Sequence, residues 1–179
     1  MKHFNSLPNK EEKSWSYAGV GNRKTPLSVL KQMGEIAQRL EKRGYLLRTG
    51  DAKGADQAFR DAVEKKEVYC ANDANDKTIN IAREIHPAPD SLSGYVLKLQ
   101  ARNCFQVFGA ELDDPVDFLI CWTPDGMEHH DNRTRRSGGT GQAIEMASRK
   151  DIPVINMKNK GWEEKLELIL NPNEQGTLF

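Results

Sequence analysis

The stretch from Trp15 to Asp56, WSYAGVGNRKTPLSVLKQMGEIAQRLEKRGYLLRTGDAKGAD, carries the pattern strand, glycine turn, helix, strand, glycine turn. Trp15 to Val20 is short and apolar and runs into Gly19-Val20-Gly21-Asn22-Arg23, a turn suited to a buried strand that feeds a phosphate-type loop. Thr25-Pro26 opens a helix, with threonine expected as the cap and proline at the first helical position, where its missing N–H had no partner to lose. Leu30, Met33, Ile36, Ala37 and Leu40 then recur at helical spacing until Gly44. The unit repeats: Tyr45-Leu46-Leu47 is a strand, Thr49-Gly50-Asp51-Ala52-Lys53-Gly54 a glycine loop, and Ala55 to Lys66 a helix.

Beyond it the same logic continues. Val68 to Ala71 reads as a third strand, Asp117 to Thr123 as the most apolar and hence central one, and Pro153 to Met157 as the last. Residues 72–91 are polar and broken by His86-Pro87-Ala88-Pro89, an excursion over one face of the sheet with weak helix signals. Leu92 to Phe108 is a strong helix offering Tyr95, Val96, Leu99, Cys104, Val107 and Phe108 for burial. Thr140 to Arg149 and Trp162 to Leu170 are the closing helices. Strands separated by single helices pair in parallel through right-handed crossovers, so the expected fold is α/β: an open parallel sheet of about five strands, with helices on both faces, in three layers. Residues 1–14 read as a loose arm, 15–170 as one domain and 171–179 as a tail.

Composition narrows the function. Lys plus Arg equals Asp plus Glu at 26 each in 179 residues, so any nucleic-acid contact must come from a local patch. Cys70, Cys104 and Cys121 are odd in number and unpaired in spacing, which suits reduced thiols of a cytoplasmic protein. No apolar run has the length to span a bilayer, and no membrane association is expected.

Three glycine-bearing loops precede helices: the one at Gly19, Gly21, Asn22 and Arg23, the one from Thr49 and Gly50 to Gly54, and Ser137-Gly138-Gly139-Thr140-Gly141. In a parallel sheet such loops share one edge, where free helix N–H groups and close backbone approach favour an anion such as phosphate. Arg23 could neutralise it, and Asp51 or Asp56 could accept from sugar hydroxyls. Trp122 and Thr123 end the central strand where a base could stack, or where tryptophan could cap the core. Glu145 lies one turn into the helix after the third loop, as a possible base or a solvated glutamate. His129-His130-Asp131 offers metal-ligand types, but adjacent histidines on an extended loop are expected to point apart, so no metal site is read there. Arg133, Arg135 and Arg136 of the same loop could close over phosphates as a lid.

Taken together, Gly19-Val20-Gly21-Asn22-Arg23, Thr49-Gly50 through Gly54-Ala55-Asp56, Arg102-Asn103, Asp117 to Trp122 and Gly138-Gly139-Thr140-Gly141-Gln142-Ala143-Ile144-Glu145 resemble the Rossmann-like superfamily called SLOG. Its members include LOG cytokinin-activating phosphoribohydrolases, the DNA-processing protein DprA and YpsA-type proteins. The likeness spans about Trp15 to Met157 and is nearest to DprA-like proteins of phage and bacteria. It implies a nucleotide cleft with Gly50, Gly54, Ala55 and Asp56 on one side and Gly138 to Gly141 with Gln142 on the phosphate side. By the pattern of the LOG enzymes, PGGxGTxxE, Glu145 and Arg102 would take the catalytic roles in N-glycosidic cleavage of a nucleoside monophosphate; Ser137 stands where that loop has proline and Gln142 where it has threonine.

The resemblance thus implies a nucleotide-derived ligand, with a sensor or carrier, an N-glycosidase, or a DprA-like accessory binding single-stranded DNA as readings, and a homo-oligomer such as a dimer. Asn103 resembles the second residue of the Arg-Asn pair in DprA-type domains. The tail residues Gln175-Gly176-Thr177-Leu178-Phe179 resemble the QxxLF peptide that docks on the bacterial sliding clamp, with Gln175, Leu178 and Phe179 as its anchors.

Overall fold

A computed structural model describes residues 14–172. The strands are β1 (Ser16–Gly19), β2 (Leu46–Gly50), β3 (Lys66–Tyr69), β4 (Phe118–Cys121) and β5 (Val154–Asn156). The helices are α1 (Leu27–Lys42), α2 (Ala55–Ala62), α3 (Asp76–Ile85), α4 (Gly94–Phe108), α5 (Thr140–Ser148) and α6 (Trp162–Leu170). All pairings are parallel, in the order β3-β2-β1-β4-β5. The chain is therefore an α/β protein with a Rossmann-like open sheet. Strand order reverses between β1 and β4, which opens a crevice at their C-terminal ends.

Strand alternation builds the three layers. Tyr17, Leu47, Phe118, Ile120 and Ile155 face α1, α2 and α6, where Met33, Leu40, Phe59 and Leu166 complete a buried cluster. Ala18, Leu119, Cys121 and Val154 face the other way, against Cys104 and Val107 of α4 and Ala143, Ile144 and Ala147 of α5. Both sheet faces are dry, and a central strand with the run Phe118-Leu119-Ile120-Cys121 is what such a position requires. Among the described residues no helix is long and apolar enough to cross a membrane.

Several local expectations are corrected. Thr25 does not cap α1: Pro26 holds that position, and the Thr25 hydroxyl donates to Asn22 O at 2.5 Å, closing the preceding turn. Residues 76–85, expected as an irregular excursion, form α3, because Asn75 accepts from Thr78 N and the Thr78 hydroxyl accepts from Asn75 N in a capping box. In α4 Tyr95 and Val96 are exposed, while Leu97, Ala101 and Phe105 are buried beside Cys104 and Val107.

Arg48, in the middle of β2, is buried and donates to Glu67 Oε2 at 2.8 Å, Asp114 O at 2.5 Å and Asp114 Oδ2 at 2.5 Å. Its planar fork ties β3 to the segment entering β4. Arg48→Lys keeps the charge but loses the fork; urea denaturation is expected to show a loss of about 1.5 kcal/mol. An unchanged midpoint would remove this tie from the account.

Candidate functional site

The crevice at the switch point is a cleft of about 390 Å³, within the ~300–1,000 Å³ that small-molecule sites occupy. One wall is the turn after β1, Val20 to Lys24, held toward β4 by Val20 N donating to Ile120 O (3.1 Å) and Asn22 N to Trp122 O (3.2 Å). Asp56, in the first turn of α2, lies on the same side, and Gly139-Thr140 at the start of α5 lies opposite. The remaining wall is a face of α4, where Leu99, Gln100, Arg102, Asn103 and Gln106 turn inward. Asn103 Nδ2 donates to Gly139 O at 3.4 Å, tying α4 to the third glycine loop.

Arg102 is 6% exposed and organises the β2 side. Its Nη1 donates to Tyr69 O (2.9 Å) and Asp51 Oδ1 (3.2 Å), and its Nη2 to Asp56 Oδ2 (3.3 Å). Burial pushes the Asp56 carboxyl up to about 6, against the opposing pull of the Arg102 charge. A buried carboxyl that titrates near neutrality in a cleft is the kind of group that binding and proton-transfer sites use.

Three buried polar atoms along the α4 face have no hydrogen-bond partner: Gln100 Oε1, Arg102 Nε and Gln106 Oε1. Groups so buried are normally satisfied, because leaving one unpaired costs about 1–3 kcal/mol. In the same cleft the N–H groups of Gly139, the cap residue of α5, and of Thr140, its first residue, also lack partners among the described residues. At the mouth, the exposed side chains of Arg23 and Lys24 make no ion pair among the described residues.

The structure distributes the expected site residues unevenly. Gly21, Asn22, Arg23, Asp56, Arg102, Asn103, Gly139 and Thr140 line the cleft. Gly19, Thr49, Gly50, Gly54 and Ala55 lie behind it as packing. The Thr49 hydroxyl donates to Gly19 O at 2.6 Å, and a methyl on Gly50 would overlap the Arg102 guanidinium. Gly54 has φ +87° as it enters α2, a left-handed conformation that favours glycine. Trp122 does not line the cleft: alternation along β4 puts it with Phe118 and Ile120 on the α1 side, in the core. Thr123 is buried, its hydroxyl accepting from Met127 N and Asn156 Nδ2. Gln142 is buried too, donating to Ala82 O at 2.9 Å, and Gly141 packs against Ser137.

Glu145 and Arg102 are not brought together. Glu145, 5% exposed, lines a second cavity and is gripped by Arg133 Nη1 at 2.5 Å and Arg149 Nη2 at 2.8 Å. Arg133 therefore folds inward onto Glu145 and Gln142 instead of closing as a lid, while Arg136 donates to Pro124 O. The loop carrying them is pinned by Asp125, which accepts from the hydroxyls of Thr134 (2.5 Å) and Ser137 (2.6 Å).

The histidines do not point apart either. The rings of His129 and His130 lie 4.1 Å apart at centroid, and their ligand atoms fall within 4.8 Å of each other and of an Asp131 oxygen. The short helical turn at His130–Asn132 folds the loop back, which an extended reading misses. His129 and Asp131 are exposed and His130 is half-buried, so the three groups could share a cation only at the surface.

Gln100 and Gln106 were missed in the sequence, although with Arg102 and Asn103 they form a polar stripe at spacings of three and four, and Leu99, read there as a core residue, lines the cleft beside them. The clamp-docking residues Gln175, Leu178 and Phe179 lie outside the described residues. No family model, curated protein or solved structure matches this chain.

Proposed function

We propose that the chain binds a nucleotide or nucleotide-derived phosphorylated ligand in the cleft between β1 and β4, as a sensor or carrier of the kind the SLOG resemblance implies. The observation that carries this reading is one cleft lined both by Gly139 and Thr140, whose amides are free among the described residues, and by Arg102 and Gln106, each of which buries a side-chain polar atom without a partner. The amides and the positive end of α5 suit a phosphate, with Arg23 and Lys24 adding cationic charge at the rim. Arg102, Asn103 and the glutamines suit the polar edges of a sugar and base. Glycosidase chemistry through Arg102 and Glu145 draws no support from this geometry, since Glu145 is engaged elsewhere by two arginines.

A ligand that binds only the native state raises stability by RT ln(1 + [L]/Kd), about 2.7 kcal/mol at a hundredfold excess over Kd, or roughly 5–10 °C in Tm for a chain of this size. Thermal unfolding with a panel of nucleoside phosphates is expected to show such a shift for at least one member. Nucleosides without phosphate are expected to fall far short of it. A flat response to every phosphorylated member would discard the reading.

A further inference from the structure

Resting on that nucleotide reading, we infer that the ligand is a dinucleotide: two nucleosides joined through phosphates, one in the first cleft and the other in the adjoining cavity.

The second cavity holds about 860 Å³, more than twice the first. The two meet along one ridge. Gln100 lines both, Gly138 faces the second, and Gly139 with Thr140 faces the first. The free amides of Gly139 and Thr140 therefore stand where the cavities join, and the buried Gln100 Oε1 without a partner stands beside them. Linking phosphates seated on those amides would leave a nucleoside free to extend to either side.

The lining of the second cavity suits such a half. Ile85, Pro87 and Ala88 supply an apolar wall for a base, and Arg133, Arg135 and Arg149 supply cationic charge. Arg133 and Arg149 are occupied by Glu145, but the Arg135 side chain makes no hydrogen bond or ion pair among the described residues and is available to a phosphate oxygen. A mononucleotide held in the first cleft would leave Arg135, the apolar wall and the rest of the second cavity unused.

The test compares matched probes on the full chain by calorimetry: AMP and GMP against diadenosine and diguanosine pyrophosphate. For the preferred base the dinucleotide is expected to bind at least about thirtyfold more tightly, since the second half binds as a tethered group. Arg135→Glu is expected to weaken the dinucleotide about tenfold or more and leave the mononucleotide within about twofold, a tenfold change being about 1.4 kcal/mol. Ala88→Trp, which fills the second cavity from its rim, is expected to act the same way. Equal affinities for the paired probes, or variants that affect both probes alike or neither, would overturn the dinucleotide inference while leaving nucleotide binding intact. Binding of none of the four probes would overturn both.

Discussion

Arg102→Ala is expected to destabilise the protein by about 3–5 kcal/mol at pH 8, the range found when one partner of a buried ion pair is removed. Arg102 and Asp56 side chains are 7% and 5% exposed, so the pair is largely shielded from water and removing Arg102 leaves a buried carboxyl without its counter-charge. Guanidinium bonds to Tyr69 O and Asp51 disappear with it. The pH dependence separates the pair from mere packing. Asp56 titrates at about 6 in the folded chain, above its ordinary value of 3.8. The fold thus prefers the neutral acid, and this contribution is fully present below about pH 4 and lost as pH rises through 6. Without Arg102 the carboxyl is pushed higher still, and the loss continues to higher pH. The destabilisation of Arg102→Ala is therefore expected to be smaller at pH 5 than at pH 8 in urea titrations, and Arg102→Ala with Asp56→Asn to be nearly independent of pH over that interval. Equal losses at both pH values would remove the Asp56 charge as the cause.

Gly21→Ala is expected to cost about 3 kcal/mol, the upper part of the overpacking range, and to abolish the nucleotide-dependent thermal shift. The glycine is needed for close approach: an added methyl would overlap the Ala55 Cβ at the start of α2, and neither position has a flexible side chain that could yield. The turn from Val20 to Lys24, one whole wall of the cleft, would have to lift away from α2. Ala55→Gly in the same background restores the clearance and is expected to recover most of the loss, less the ~1 kcal/mol or smaller penalty of glycine in a helix. Gly34→Ala is the control, because a methyl there meets only Ala58 O and Ala62 Cβ at 3.7 Å, and it should be neutral or slightly stabilising. Full stability and an intact thermal shift in Gly21→Ala would show that the turn and α2 are not in the close contact described.

Much of the architecture is local in origin. The spacing of Met33, Ile36, Ala37 and Leu40, the glycines after each strand and the apolar run at Phe118–Cys121 depend on neighbours within a few residues, and they appear as α1, the βα turns and β4. Where the reading of secondary structure failed, the deciding bond was short-range but ambiguous. Thr25 had both a helix to cap and a turn to close, and Asn75-Thr78 formed a capping box inside a segment too polar to read as a helix.

That five strands and their helices make an open parallel sheet, and therefore that three glycine loops share an edge, was legible in the order of residues alone. That follows from periodicity and from the crossover geometry of parallel strands. Which loop residues face the cleft and which face the core emerged from how the elements pack. Packing set Arg102 against Asp56 across 46 residues and brought Arg133 of the preceding loop onto Glu145 in another cavity. The direction of a side chain is fixed by the packing of distant elements, and that packing is not written in the order of its neighbours along the chain.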